Sequence, residues 1–209
     1  MLNADIKSWI RLKPQTFWRI WFAILAIGLV LIAVSMIFID QRWATYFGSK
    51  EMERVWLFHR NITEIGKAEV YIVIAILALL FEKTRRRAKY FLACMVASGL
   101  AVHIIKFCLG RERPHKTLDH DPYVFEPFSI HHHFQSMPSG HSQTLFTIAC
   151  FVSFVFPKST PWVMILALYL AFTRAITLAH FVSDVWAGAF LAVLASAVTL
   201  RYLVQKNGS

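Results

Sequence analysis

The sequence predicts an all-α fold: a polytopic membrane helix bundle with six transmembrane helices, in a single domain over 1–209. Three observations predict it. The chain is 57% hydrophobic and only 16% charged, with 18 Phe, 7 Trp, 8 Gly and 7 Pro, which is too apolar for an ordinary soluble domain. Six runs lack any charge, and polar connections separate them. The basic residues, which leave a net charge of +10, concentrate in every second connection. Low Gly and Pro, with no repeat and no low-complexity run, exclude a disordered tail or a string of modules.

The first run, 20–39, has 20 residues without a charge, enough for about 30 Å of helix and one crossing of the hydrocarbon core. Lys7, Arg11, Lys13 and Arg19 precede it in the manner of a signal peptide. The run is too long for an h-region and no small-residue cleavage site follows, so it reads as a retained first helix. The runs 70–81, 90–105, 142–157, 159–173 and 185–200 follow. Each is shorter than a bilayer unless it borrows polar residues at one end. An even number of crossings puts both termini on one side.

Charge chooses that side. Segments 1–19, 82–89, 157–161 and 201–209 hold 12 basic residues against the two acids Asp5 and Glu82, whereas the opposite connections hold ten of each sign. Short connections rich in Lys and Arg stay in the cytoplasm, so both termini are expected there. The excess charge then lies beside anionic headgroups, which excludes nucleic acid as the expected partner. Cys94, Cys108 and Cys150 lie in or beside apolar runs; on one helix the first two would stand about 21 Å apart, so no disulfide framework is expected.

With this topology Lys106 ends the third helix, His141 opens the fourth, Arg174 lies near the end of the fifth, and His180 and Asp184 open the sixth. All meet on the outer face. Charges at the ends of membrane spans are costly unless paired or functional, so the gathering is a candidate site. Lys106, Arg111, Arg113 and Arg174 make it cationic, and guanidinium forks suit phosphoryl oxygens. Pro138-Ser139-Gly140-His141 precedes an apolar run: Pro suits a first turn, Ser an N-cap, and Gly a close backbone approach, together an anion cradle. Taken alone, Pro-Ser-Gly reads better as a capped helix start; His141 and the arginines turn the reading to an anion site.

His180 and Asp184 are four apart, one helical face, so a carboxylate can hold one imidazole nitrogen and free the other to attack phosphorus. The cations would stabilise the transferring group and His141 would protonate the leaving oxygen. Alone, the pair reads as a hydrogen bond that satisfies a helix end. The set together decides for chemistry.

Lys106-Phe-Cys-Leu-Gly-Arg-Glu-Arg113-Pro114, Pro138-Ser139-Gly140-His141 and Thr173-Arg174-Ala-Ile-Thr-Leu-Ala-His180-Phe-Val-Ser-Asp184 resemble the three-part signature of the type 2 phosphatidic acid phosphatase family. The resemblance covers 106–184 by motif and the whole chain by its six-helix pattern. One position departs: Thr173 stands where the family usually has Ser, a change that keeps a hydroxyl.

The resemblance implies a cofactor-free, metal-independent lipid phosphatase that works through a phosphohistidine. His180 would be the nucleophile, Asp184 its orienting partner and His141 the general acid. Lys106, Arg113, Ser139, Gly140 and Arg174 would bind phosphate; Arg111 is a neighbour outside the fixed motif positions. Expected partners are a phosphorylated lipid and the surrounding membrane lipids. The expected location is the cytoplasmic membrane, with the site facing the periplasm or cell exterior. Phosphoryl transfer between lipids and a non-catalytic phospholipid carrier are the competing readings; six spans argue against the haloperoxidases that share the signature.

His131, His132 and His133 with Asp119, His120 and Asp121 invite a zinc reading, but three successive histidines converge poorly, and a polar rim over the site is expected instead. His103, three before Lys106, is expected to hydrogen-bond within the bundle. Val55-Trp56-Leu57-Phe58 has the character of an interfacial helix, although a plain connector is the simpler expectation.

Overall fold

The computed structural model describes residues 13–206, and these form eight α-helices. Lys7 and Arg11 of the expected basic start lie outside the described residues. The helices are α1 (Pro14–Val34), α2 (Asp40–Phe47), α3 (Glu53–Ile62), α4 (Ala68–Ala78), α5 (Glu82–Leu109), α6 (Gly140–Val155), α7 (Thr160–Ile176) and α8 (Val182–Lys206). No β-strand occurs among the described residues; one isolated bridge joins Arg111 to Phe125.

Each charge-free run lies on a helix, but the lengths differ from the expectation of six full crossings. Four helical segments are long and apolar enough to span a bilayer: Gln15–Phe47, Glu82–Leu109, Pro157–Ile176 and Val182–Lys206. The 16 residues of α6 and the 11 of α4 reach only about 24 and 16 Å at 1.5 Å per residue. Both end inside their apolar runs, α4 at Ala78 and α6 at Val155; α6 begins after the Ser139 cap and α4 just after the 3-10 turn Thr63–Gly66.

The core is a seam of small and branched residues between α6, α7 and α8. Leu145, Ala149, Ala171, Ala175, Val185, Ala189 and Ala192 are buried together there. Helices in lipid gain little from burying apolar surface, so close approach through Ala and Gly supplies the packing. The closest approach is at Gly188, where an added Cβ would collide with the Ser139 carbonyl and stand 3.1 Å from Ser142 Cβ. The outer surfaces of α1 and α4 instead expose Phe22, Ile27, Val73 and Ile74, as a lipid-facing surface requires.

Two local features bring polar residues to one end of the bundle. Ser35–Ile39 forms a π-helical turn between α1 and α2, and it delivers Asp40 into the interior with 1% of its surface exposed. Such turns reset the helical phase. At the end of α5, Gly110 takes φ +58°, and an added Cβ there would strike the Glu126 backbone. The chain folds back over this cap: Glu126 N–H donates to Gly110 O (2.7 Å), Phe128 N–H to Phe107 O (2.7 Å) and Ser136 N–H to Arg111 O (2.9 Å).

Residues 53–62 form helix α3 rather than a plain connector. Its Trp56 Nε1 donates to Thr177 O (3.1 Å), which ties it to the turn after α7, while Leu57 and Phe58 stay exposed. His103 is exposed on α5, so it does not join the bundle interior.

Candidate active site

The two ends of the signature meet at the start of α8. Asp184 is its third residue, and Oδ2 accepts the Phe181 N–H (2.9 Å), the back-reaching half of a capping box. His180 therefore sits in the turn before α8, not on the helix, because the chain leaves helical geometry after Ile176 and Leu178 has φ +55°. The turn still carries the imidazole over Asp184. His180 Nδ1 lies 3.7 Å from Asp184 Oδ2, beyond hydrogen-bond range. Ser136 closes the interval: its hydroxyl donates to Asp184 Oδ2 (2.5 Å) and lies 3.4 Å from His180 Nδ1.

His180 is 3% exposed, and burial holds its imidazole well below the ordinary value of 6.5. The nearby Asp184 carboxylate opposes that shift, while the charges of Arg113, Lys106 and Arg174 reinforce it. The ring is thus held neutral, with Nδ1 turned toward Ser136 and Asp184 and Nε2 on its far side. A neutral imidazole with a free nitrogen is a nucleophile.

Around this ring stand the cations. Lys106 is buried at the end of α5, where Nζ donates to Gln135 O (2.6 Å). Arg113 Nε donates to His132 O (3.3 Å), and its backbone N–H donates to His133 O (2.9 Å). Arg174 Nη1 donates to Thr63 Oγ1 (3.3 Å), while its buried Nε has no hydrogen-bond partner.

Ser139 caps α6. Its Oγ accepts the Ser142 N–H (3.4 Å), and its own N–H donates to Asp184 O (2.9 Å). A Cβ on Gly140 would meet nothing within 4 Å, so the backbone there is open to close approach. His141 Nε2 is buried without a hydrogen-bond partner, and the ring packs edge-on against Gly66, where an added Cβ would stand 2.8 Å from His141 Cδ2. Arg174, Glu64 and Arg113 lie within electrostatic range of this imidazole. All eight residues expected to act in the site therefore gather at one end of the bundle, on α5, α6, α7, α8 and the turns between them.

Three residues carry more than the sequence indicated. Arg111, expected only as a neighbour, is fully buried and donates to Asp184 Oδ1 (2.6 Å) and Asp40 Oδ2 (2.8 Å). Asp40 and Ser136 had no assigned place. A carboxylate at the end of the first apolar run was a visible signal for Asp40, because such a charge needs a partner. Its partner lies 71 residues away, and spacing alone does not reveal that. Thr173 is buried and its Oγ1 donates to Leu170 O (2.6 Å) within its own helix, so the departure from Ser is turned away from the ring.

The histidine run forms a rim. His131 and His133 stack with ring centroids 5.5 Å apart, and His132 Nε2 lies 3.3 Å from Arg113 Nη2. The Arg113 charge pushes His132 below the ordinary histidine range, with partial burial acting the same way.

A multi-pass helical membrane protein with a buried His–Ser–Asp cluster ringed by Lys and Arg defines a class, that of phosphoryl-handling membrane enzymes. Comparison gives the family. Residues 87–208 match the PAP2 superfamily model. The chain is 31% identical over 185 residues to the lipid A 1-phosphatase of Rhizobium etli, covering 80% of this chain and 78% of that protein. It is 30% identical over 185 residues to the lipid A 1-phosphatase of Rhizobium johnstonii, covering 80% and 75%. The crystal structure of a PAP2-type phosphatidylglycerolphosphate phosphatase from Bacillus subtilis aligns with TM-score 0.65 at 19% identity, covering 88% of this chain and 96% of that one. That of Aquifex aeolicus LpxE aligns at 0.60 and 20%, covering 78% and 95%. This chain belongs to the PAP2 superfamily, and it is a lipid phosphatase of the membrane.

Proposed function

We propose that this enzyme removes phosphate from a lipid phosphomonoester or diphosphate at the outer face of the cytoplasmic membrane through a phosphohistidine, without a metal or cofactor. The observation that carries the reading is the buried, neutral His180 with Nδ1 held toward Ser136 and Asp184, inside the reach of Lys106, Arg113 and Arg174. His180 Nε2 attacks phosphorus as the bond to the lipid oxygen breaks, and His141 gives that oxygen a proton. Water then attacks the phosphohistidine, the N–P bond breaks, and His141 takes the water's proton. Phosphate leaves with His180 neutral again.

Lys106, Arg113, Arg174 and the Ser139–Gly140 backbone bind the phosphoryl oxygens and oppose the charge that builds on them. Asp184 orients His180 through Ser136 and opposes the positive charge on the ring. Six crossings with cytoplasmic termini, two of them by the short helices α4 and α6, would put this end of the bundle outside, in agreement with the basic 83–89 segment on the opposite side.

Among lipids, the 1-phosphate of lipid A is the first choice, because the curated relatives at 31% and 30% identity carry that activity in their names. Phosphatidylglycerol phosphate, undecaprenyl diphosphate and phosphatidic acid present the same oxyanion. The test is phosphate release by detergent-purified protein, with EDTA, over these four lipids. Release that survives EDTA, disappears in His180→Ala and is fastest on lipid A is expected. A folded protein that binds these lipids yet releases no phosphate would overturn hydrolysis in favour of transfer or carriage.

A further inference from the structure

The buried charge behind Asp184 is larger than the proposed chemistry alone requires. Arg111 lies wholly inside the protein, and every branch of its guanidinium is used. Nη1 donates to Asp184 Oδ1 (2.6 Å) and to Ser183 Oγ (2.6 Å), Nη2 to Asp40 Oδ2 (2.8 Å), and Nε to Pro122 O (3.0 Å). The group also faces the Phe181 ring at 4.3 Å. Asp40 in turn accepts the Ser183 N–H (2.9 Å) and the Ser183 hydroxyl (2.5 Å). The start of α2, the loop after α5 and the start of α8 are thereby locked together at Ser183 and Asp184, three and four residues after His180.

We propose that Asp40, acting through Arg111, is a positioning residue for the nucleophile, and that it restores to Asp184 the negative charge Arg111 would otherwise cancel. The proposal rests on His180 being the nucleophile. The count of charges gives the reason. An Asp184 paired only with Arg111 is a neutral unit, a dipole whose field at the ring is weaker than that of an unpaired carboxylate. When His180 Nε2 bonds to phosphorus, the imidazole becomes cationic and needs a net negative neighbour. Asp40, Arg111 and Asp184 together carry −1, and Asp184 is the member that faces His180.

Burial sharpens the arrangement. A close ion pair in a low-dielectric interior interacts strongly, but each buried charge also costs desolvation, so a three-member cluster is a poor device for stability alone. A guanidinium shared between two carboxylates fixes both in angle as well as distance, because its fork has only one orientation that serves both. The Asp184 carboxylate is then fixed to Arg111 on Oδ1 and left with Oδ2 for Ser136 and the Phe181 N–H. A shift of Asp40 would tilt the fork and, with it, the acceptor beneath His180.

The test uses Asp40→Asn and Asp40→Glu in the full chain, with wild type and His180→Ala alongside, on whichever of the four lipids the wild type hydrolyses fastest. Asp40→Asn preserves shape and an acceptor oxygen but removes the charge. Partners of this kind behind a reacting group typically change activity by about 10- to 100-fold. The expected result is a fall of that size in kcat with KM within about twofold, part of it recovered in Asp40→Glu, while thermal unfolding in the same detergent still shows one transition. Wild-type kcat in a folded Asp40→Asn would overturn the proposal. So would parallel loss of kcat, KM and the thermal transition in both variants, the signature of a merely structural anchor. Activity surviving in His180→Ala would instead remove the nucleophile assignment itself, whatever Asp40 does.

Discussion

The backbone N–H of Ser139 donates to the backbone carbonyl of Asp184 at 2.9 Å. One bond thus joins the turn that opens α6 to the residue whose carboxylate lies under His180, and two parts of the signature 45 residues apart in sequence share a fixed spacing. The approach that permits it occurs at Gly188, one helical turn after Asp184, which lies against the Ser139 carbonyl and 3.1 Å, from its added Cβ, to Ser142 Cβ. Gly188→Ala is expected to force α8 from α6 at a cost of about 1–3 kcal/mol and to lower phosphate release with it. Gly99→Ala, where a Cβ meets nothing within 4 Å, is the control that leaves both unchanged. Thermal unfolding and initial rates check the pair.

Ser136 bridges where Asp184 cannot reach. Because the His180–Asp184 separation is 3.7 Å, removal of the intervening hydroxyl leaves the ring without a near acceptor on that side. Ser136→Ala is expected to lower kcat by about tenfold or more with little change in KM, and Ser136→Thr to retain more of it. Steady-state rates on the preferred lipid decide the matter; a Ser136→Ala enzyme with wild-type kcat would mean that Asp184 acts on His180 without help.

Gly66 is the surface against which His141 rests. Gly66→Ala would place a Cβ 2.8 Å from His141 Cδ2, so the imidazole must turn. Small displacements of a group that transfers a proton can cost up to about 100-fold. The expected result is a fall in kcat that is smaller for a lipid diphosphate, whose phosphate leaving group needs less protonation, than for a phosphomonoester. Equal losses on both would place the effect elsewhere.

The depressed His180 value makes stability depend on pH in a defined direction. Below the ordinary value of 6.5 the unfolded chain takes up a proton that the folded chain refuses, so acid favours unfolding. The stability tied to this group is complete above about pH 6.5 and is lost progressively as pH falls toward the folded value. Burial displaces His115 downward too, and the Arg113 charge does so for His132; both add to the slope. Unfolding temperatures taken from pH 7.5 to pH 5 are expected to fall, and to fall less steeply in His180→Gln. An identical slope in that variant would contradict the burial argument.

Much of this was legible in the sequence. The charge-free runs at 90–105 and 185–200 lie within α5 and α8, and the strings around Lys106, His141 and His180 placed their side chains at one end because helices alternate in direction. What composition could not supply was length: α4 ends at Ala78 and α6 at Val155, each before the end of its own apolar run. The position of His180 off the helix was hidden because four-residue spacing is compatible with both a helix and a capping box. The part played by Arg111 was hidden for another reason. A loop arginine two residues from Arg113 looks like one more cation for phosphate, and only the fold shows Asp40 arriving from a π-helical turn to claim it.

The central claim, that phosphate passes through His180, is tested most directly by trapping it. Enzyme turning over a radiolabelled lipid phosphate is quenched in alkali, where a phosphohistidine survives, then digested and mapped. The account predicts acid-labile label on the peptide that contains His180, and none in His180→Ala. Continued lipid turnover by His180→Ala, or label on another residue, would contradict it.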